Sequence, residues 1–156
     1  MKLADRVCVI TGGARGIGEA IAARFIAEGA TVAILDLDLA AAEATAARLG
    51  ATAYQCDVSS RASVETAIAA VIYAHGRIDV LCNNAGIGLA GPSETFSDAD
   101  WDTSIGVMQT GVFLCSQVVG RHMLERGRGT IVNTSSMNAW RPSPCGWRTA
   151  PPRRPW

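Results

Sequence analysis

The composition of the 156-residue chain is typical of a single globular domain: 49% of the residues are apolar and 18% are charged, which excludes a disordered chain. The formal net charge is zero, so no overall charge favours nucleic acid or an anionic membrane as a partner. No apolar run approaches the roughly 20 residues of a membrane-spanning helix, and the start of the chain is too polar for a secretory signal, so we expect a cytoplasmic protein.

The predicted elements alternate between strands and helices. In chain order they are strand 7–10, helix 17–28, strand 31–35, helix 39–49, strand 52–56, a helix from Ser59 or Ser60 to Gly76, strand 78–82, helix 97–126 and strand 130–134. Asp38 is expected to cap the second helix and Gly50 to end it. The long last helix is expected to loosen at Gly106 and Gly111.

This alternation predicts a doubly wound α/β fold with a parallel sheet of order 3-2-1-4-5, covered by helices on both faces. In such sheets ligands bind at the carboxyl ends of the strands. Glycine or polar residues follow all five predicted strands. They are Gly12 to Gly18, Asp36, Asp57, Asn84 and Ser136. The sequence therefore predicts one site at the carboxyl edge of the sheet.

The turn after the first strand has the pattern of a phosphate site. A strand, a glycine turn and a helix together present backbone N–H groups and the positive end of the helix dipole to an anion. In the spacing Gly-x-x-x-Gly-x-Gly, Gly12 can take the tight turn and Gly16 lets the backbone approach a pyrophosphate, while Gly18 lets the helix pack closely on the sheet. The pattern predicts a dinucleotide site.

Asp36 indicates which dinucleotide the site prefers. It ends the second strand, 18 residues after Gly18, where a carboxylate can accept hydrogen bonds from both hydroxyls of an adenosine ribose. The next residue, Leu37, offers no cation to a 2′-phosphate, so NAD is favoured over NADP. Arg15 works against this preference, because its side chain could reach a 2′-phosphate.

Three motifs in this order resemble the short-chain dehydrogenase/reductase family: residues 11–18, Asp57-Val58 and Asn83-Asn84-Ala85-Gly86. The resemblance covers residues 3 to about 140. It implies a Rossmann-type fold and hydride transfer between NAD(P) and a small-molecule alcohol or carbonyl. It also implies that Asp57 and Val58 hold the adenine and that Asn84 steadies the sheet beside the cofactor. The cofactor residues assigned in this way are Gly12, Arg15, Gly16, Ile17, Gly18, Asp36, Asp57, Val58, Asn84 and Gly86.

The resemblance also implies a catalytic set of Asn, Ser and a Tyr-x-x-x-Lys pair, in which the Tyr transfers the proton. Ser136 matches the Ser. Met108 falls at the Asn position, seven residues after Trp101, and a thioether cannot hold a water as an amide does. Thr149 and Arg153 fall at the Tyr and Lys positions. A Thr hydroxyl is too weak an acid for the role of the Tyr.

The inventory of residues leads to the same expectation without any alignment. The tyrosines of the chain are Tyr54 and Tyr73 and its lysine is Lys2, so no Tyr-x-x-x-Lys is present. We expect a chain that keeps the cofactor-binding half of a dehydrogenase and is inactive alone. Two alternatives remain: a working oxidoreductase that borrows groups or uses Ser136 with water, and a non-enzymatic NAD-binding or interaction module.

Residues 140–156 differ in character from the rest of the chain. They contain three of the four Trp, five of the six Pro and four Arg but no acidic residue, and no helix or strand period. We therefore divide the chain into an NAD(P)-binding domain, 1–139, and an irregular tail, 140–156. One hypothesis is an out-of-frame translation, which the other two reading frames of the coding DNA would test. Alternatives are an Arg-Pro arm for nucleic acid or an acidic surface, and a PxxP ligand at Pro152–Pro155.

The same region bears on assembly and on metals. With the family's later strands and helices lacking, the fifth strand becomes a sheet edge, and apolar surface of the long helix is exposed. The resemblance places a dimer interface there, so we do not expect the family's native oligomer. The five cysteines include no C-x-x-C pair, and no histidine has metal-ligand spacing, so we predict reduced thiols and no metal site.

Overall fold

A computed structural model of the chain describes residues 1–89 and 91–136. Over these residues the elements are β1 (Val7–Thr11), α1 (Gly16–Ala27), β2 (Thr31–Asp36), α2 (Leu39–Leu49), β3 (Thr52–Gln55), α3 (Arg61–His75), β4 (Val80–Asn83), a short 3₁₀ turn (Ser93–Thr95), α4 (Asp98–Ile105), a π-helical turn (Gly106–Thr110), α5 (Gly111–Glu125) and β5 (Thr130–Asn133). The predicted tail, 140–156, lies outside the described residues, as do Thr149 and Arg153.

The strands form a parallel sheet of order β3-β2-β1-β4-β5. This is the predicted doubly wound order 3-2-1-4-5, and it confirms the α/β fold class. The first strand lies at the centre because the chain winds outward on one side through β2 and β3 and on the other through β4 and β5. The reversal leaves a crevice at the carboxyl ends of β1 and β4.

Side chains alternate between the two faces of the sheet along each strand, and along the central strands β1 and β2, helices bury both faces. Cys8 and Ile10 of β1 pack in one apolar cluster with residues of α1 and α2. Val7 and Val9 pack on the opposite face in a second cluster with residues of α3 and α5. Both sets of side chains are therefore buried, and all five residues of β1 are buried.

Local capping chemistry sets the ends of α2 and α3. The Asp38 carboxylate accepts a hydrogen bond from the Ala41 N–H at the start of α2, and Gly50 ends α2 with a φ of +75°. Of the two predicted starts for α3, Ser60 is the cap, and its hydroxyl accepts a hydrogen bond from the Ser63 N–H. Each of these helix ends is therefore determined by residues within a few positions of it in the sequence.

β4 begins two residues later than predicted, at Val80 instead of Ile78. The N–H of Ile78 donates to Nε2 of His122 at 3.3 Å, and its carbonyl accepts from Nη1 of Arg126 at 2.9 Å. Both partners belong to the C-terminal end of α5 and its cap. Side chains from α5 thus replace the ladder bonds that Ile78 would otherwise make.

β5 forms an edge of the sheet within the described part of the chain, and all four of its residues are exposed. Exposed apolar side chains are concentrated here and on the segment from α4 to α5. They are Trp101, Met108, Phe113, Leu124, Ile131 and Val132. The sequence predicted exposed apolar surface in this region. Within the described residues, no helix combines the length and apolar character needed to cross a bilayer.

Candidate active site

A cleft of about 940 Å³ opens at the carboxyl edge of the sheet. Residues that follow all five strands contribute to its wall. They are Gly12, Ala14, Arg15, Ile17 and Gly18 after β1, Asp36, Leu37 and Asp38 at β2, Cys56, Asp57 and Val58 after β3, Asn84, Ala85, Gly86 and Ile87 after β4, Val107 of the π-helical turn, and Thr134, Ser135 and Ser136 after β5. Of the predicted site residues, Gly16 and Met108 are not part of this wall.

The glycine turn brings the start of α1 against the end of β1. Gly12 has a φ of +64°, and a Cβ there would lie 2.8 Å from Cα of Ala85. At Gly18 a Cβ would lie 2.1 Å from the Gly12 carbonyl oxygen and 2.7 Å from Nδ2 of Asn84. Contacts this short exclude any side chain at either position, so α1 starts directly at the cleft.

The N-terminus of α1 has the features of an anion site. No side chain caps it, although the first N–H groups of a helix have no acceptor within the helix. Gly16, with a φ of +59°, has no atom within 4 Å of where a Cβ would lie. Ile17, 68% exposed, adds an apolar side chain to the cleft wall beside these groups. Backbone donors, the helix dipole and open space together suit a phosphate group.

Asp36 lies where β2 enters the cleft. Its Oδ2 accepts a hydrogen bond from the Ala14 N–H at 3.0 Å, and its Oδ1 accepts one from the Asp38 N–H at 3.1 Å. The Ala14 carbonyl in turn accepts from the buried Thr45 hydroxyl at 2.8 Å. The carboxylate is thereby held against the glycine turn, and each oxygen keeps acceptor capacity for a ligand hydroxyl.

Arg15 and Asp38 form an ion pair beside Asp36. Nη2 of Arg15 lies 2.5 Å from Oδ2 of Asp38. The pKa of Asp38 lies below its ordinary value because its carboxylate accepts a hydrogen bond from the Ala41 N–H and a second from Arg15. The sequence identified Asp38 only as a helix cap and did not predict this ion pair.

Asn84 joins the ends of β1 and β4. Its Nδ2 donates to the carbonyls of Thr11 and Gly12, both at 3.2 Å. The buried Thr11 hydroxyl oxygen accepts from the N–H groups of Asn84 and Ala85, both at 3.0 Å. These bonds tie the two strands together where the cleft begins, and Gly86 continues the wall beyond them.

The end of β3 supplies Asp57 and Val58. Oδ1 of Asp57 accepts from both the N–H and the hydroxyl of Ser59, at 2.9 and 2.6 Å. Val58 is buried against α5 at Gly111, where a Cβ would lie 2.8 Å from a Val58 methyl carbon. Cys56 also contributes to the wall, but burial raises the pKa of its thiol to about 11, so it is not a nucleophile at neutral pH.

Among the described residues, one member of the expected proton-transfer set lines the cleft. Ser136 lines it, but the π-helical turn contributes Val107, while Met108 is 47% exposed and not part of the wall. Tyr54 lies on β3 with its hydroxyl 3.5 Å from Nε2 of His75, and Tyr73 is 94% exposed on α3. Neither tyrosine lines the cleft, and Lys2 does not line it either.

Metal chemistry has no visible centre in the described ranges, 1–89 and 91–136. No group of three or more His, Cys, Asp or Glu residues lies close enough there to hold an ion. The four cysteines described, at 8, 56, 82 and 115, are buried free thiols, and Cys145 lies outside the described residues. The described wall of the cleft offers a ligand backbone donors, carboxylates, hydroxyls, the Arg15 guanidinium and apolar surface.

Comparison with known proteins gives one consistent family. Residues 6–147 match the short chain dehydrogenase family. D-Threitol dehydrogenase of Mycolicibacterium smegmatis is 43% identical over 143 residues, and levodione reductase of Leifsonia aquatica is 39% identical over 148. These matches cover 88% and 90% of the chain, and the chain spans 55% of each relative.

The fold is equally similar to a solved structure. The crystal structure of 3-ketoacyl-(acyl-carrier-protein) reductase from Brucella melitensis, complexed with NADH, superposes with a TM-score of 0.88 at 37% identity. The alignment covers 92% of this chain and 62% of that one. Together with the doubly wound sheet and the glycine turn at its carboxyl edge, these matches show that the chain belongs to the short chain dehydrogenase family.

Proposed function

We propose that the cleft binds NAD(H), and that residues 1–139 are the cofactor-binding domain of an oxidoreductase acting on a small alcohol or carbonyl. The observation that carries the proposal is the uncapped N-terminus of α1, open at Gly16, beside the Asp36 carboxylate. The first suits a pyrophosphate and the second a ribose diol. The bound nicotinamide would accept or donate the hydride.

The residues of the chain would divide the work of binding. The first turn of α1 would hold the pyrophosphate through backbone N–H groups, and Asp36 would accept hydrogen bonds from the adenosine ribose. Asp57 and Val58 would contact the adenine. The exposed Ile17 side chain would be covered by the ligand, which removes apolar surface from water.

NAD is proposed over NADP because of the charges around Asp36. Asp36 and Asp38 both line this end of the cleft, and a 2′-phosphate would meet both carboxylates. Among the residues that the structure describes, the cation in the same wall is Arg15, and it is already paired with Asp38. An NADH-bound relative supports a nicotinamide dinucleotide as the ligand but does not choose between the two.

For a polypeptide of these 156 residues we propose cofactor binding without turnover. Oxidation of an alcohol moves a hydride to the nicotinamide and the hydroxyl proton to a base. Neither tyrosine nor the lysine lines the cleft, and a Ser hydroxyl such as that of Ser136 is a poor base at neutral pH. Measured NADH oxidation with a panel of ketones and aldehydes should not exceed the rate without protein; carbonyl-dependent turnover would contradict this and favour the use of Ser136 with water.

The binding proposal is tested with a matched pair of glycine variants. Gly16 and Gly50 both have positive φ, +59° and +75°, and at both positions a Cβ would have no atom within 4 Å of it. Each Gly→Ala change should therefore cost a similar ~1–2 kcal/mol of stability. We expect Gly16→Ala to weaken NADH binding at least about tenfold by calorimetric titration, and Gly50→Ala to leave it unchanged. Equal NADH affinity in both variants would overturn the assignment of the pyrophosphate to this turn.

A further inference from the structure

The ion pair between Arg15 and Asp38 lies at the ribose end of the cleft, and the cap of α2 does not depend on it, because Asp38 caps the helix through its other carboxylate oxygen. Arg15 is 73% exposed at its side chain and Asp38 is 45% exposed. An ion pair this exposed contributes little to stability. Both residues nevertheless line the cleft beside Asp36. The position of the ion pair in the cleft wall therefore points to a role at the cleft and not in stabilising the fold.

Asp38 is the fixed member of the pair. Its Oδ1 accepts from the Ala41 N–H at 3.0 Å as the cap of α2, and its own N–H donates to Oδ1 of Asp36 at 3.1 Å. Arg15 starts from a fixed backbone, because the N–H and carbonyl of its neighbour Ala14 are both hydrogen-bonded. Its long side chain is the part that can move. Whatever holds the guanidinium sets the charge available at this end of the cleft.

We propose that Asp38 is a specificity-determining residue that withholds Arg15 from a 2′-phosphate. This rests on the proposed function, since it concerns how the same cleft discriminates between NAD(H) and NADP(H). Nη2 of Arg15 at 2.5 Å from the Asp38 carboxylate is already committed to an anion. A 2′-phosphate has to compete with that carboxylate for Arg15 and also approach two negative charges.

The pair accounts for two opposing features of the sequence. Arg15 offers a cation in the glycine turn, which by itself favours a phosphorylated ribose. Asp36 offers a carboxylate, which favours the free diol. With Asp38 holding Arg15, the cation no longer opposes Asp36. The selectivity of the cleft for NAD(H) thus depends on two carboxylates, of which Asp36 faces the ribose and Asp38 acts through Arg15 as a positioning residue.

The test uses Asp38→Asn, which removes the ion pair and keeps the helix cap, because Asn caps a helix as well as Asp does. Dissociation constants for NADH and NADPH are measured by calorimetric titration for the unmodified chain, Asp38→Asn, Arg15→Ala and the double variant. Glu43→Gln is the matched control: it removes one negative charge from an exposed position of the same helix, outside the cleft wall. 2′,5′-ADP and 5′-AMP serve as fragment probes of the ribose end.

In the unmodified chain we expect NADH to bind at least about tenfold more tightly than NADPH. Asp38→Asn should shift that ratio about tenfold toward NADPH, and the same shift should appear between 5′-AMP and 2′,5′-ADP. Adding Arg15→Ala should remove most of the shift and leave only the part that comes from direct repulsion between Asp38 and the 2′-phosphate, and Glu43→Gln should not produce a shift. No NADH binding by the unmodified chain would overturn the proposed function itself. NADH binding with no shift in Asp38→Asn, or with a shift that is as large when Arg15→Ala is added, would overturn the role of Asp38 alone.

Discussion

The two edges of the sheet treat their polar groups in opposite ways. At the amino edge, Asp79 is only 4% exposed, and its carboxylate accepts from the Val7 N–H at 2.9 Å, from Arg77 at 3.0 Å and from Arg126 at 3.2 Å. Nearby, His122 accepts from a backbone N–H. These two side chains thus have their hydrogen-bond partners within the chain itself.

At the carboxyl edge, strong groups face the cleft. The N-terminus of α1 has no side-chain cap, and Asp36 accepts only backbone hydrogen bonds among those that the structure describes. Buried polar groups that are paired within the protein stabilise the fold, whereas groups left open to a cleft are available to a ligand. In this sheet, polar groups are thus paired within the protein at the amino edge and open to the cleft at the carboxyl edge. Variants at the two edges should accordingly affect different measurements.

The largest effect on stability is expected for Asp79→Asn. The amide keeps the shape of the side chain but presents N–H donors to the arginines and loses the charge that they share. We expect a loss of about 2–4 kcal/mol in the free energy of unfolding, measured by urea denaturation. NADH affinity should stay unchanged in the folded variant, because Asp79 does not line the cleft. A variant of ordinary stability would contradict the view that the amino edge fastens the fold.

Low pH should reduce the contribution of the Asp79 carboxylate to the free energy of unfolding. Burial alone would raise the pKa of Asp79, but hydrogen bonds from Val7, Arg126 and Arg77 hold it below its ordinary value. A lowered pKa in the folded state stabilises the fold above the unfolded pKa of about 3.9, and this stabilisation is lost as the pH falls through the folded pKa. The stability difference between the unmodified chain and Asp79→Asn should therefore be constant from pH 7 to about 5 and shrink below about 4. If the stability difference between the two proteins is undiminished at pH 2.5, the ionised Asp79 carboxylate is not its source.

A smaller loss of stability is expected for Thr11→Val, and this substitution should affect both stability and ligand binding. Thr11 is 1% exposed, and its hydroxyl oxygen accepts hydrogen bonds from the N–H groups of Asn84 and Ala85, which line the cleft. Valine has the same shape but no acceptor, so both donors lose their partner, at a cost of about 1–3 kcal/mol. Thr11→Ser keeps the hydroxyl and is the control. We expect only the valine variant to lose both stability and NADH affinity; equal behaviour of the two would show that the hydroxyl does not matter.

How far the sequence predicted this molecule depends on the distance over which each feature is determined. The strand order follows from alternation, and the ends of α2 follow from Asp38 and Gly50 within a few residues of the helix. The predicted start of β4 was wrong by two residues, because the N–H and carbonyl of Ile78 are hydrogen-bonded to His122 and Arg126. These two residues are more than forty positions away in the sequence. Local propensity carries no information about such partners.

The same limit applies to the candidate site. The glycine turn and Asp36 were recognisable because each has a short pattern, and both line the cleft. The Arg15–Asp38 ion pair was not, since the two residues are 23 positions apart and meet only after β2 has been placed beside β1. Asp79 carried one usable signal: an acidic residue within an apolar strand-like run indicates a paired, buried charge.

The smallest effect on stability is expected for Arg15→Ala, and it provides the sharpest contrast between the two edges. Arg15 and the arginines around Asp79 all pair with a carboxylate, but the partner of Arg15 is 45% exposed whereas the Asp79 side chain is 3% exposed. Removing an exposed pair should change the free energy of unfolding by less than about 0.5 kcal/mol in urea denaturation. Arg126→Ala, the matched change at the buried carboxylate, should cost at least about 1 kcal/mol. Equal losses of unfolding free energy in the two variants would mean that burial does not make the ion pairs of Asp79 stronger than the pair at the cleft. The Arg15–Asp38 pair would then stabilise the fold as much as the buried pair does.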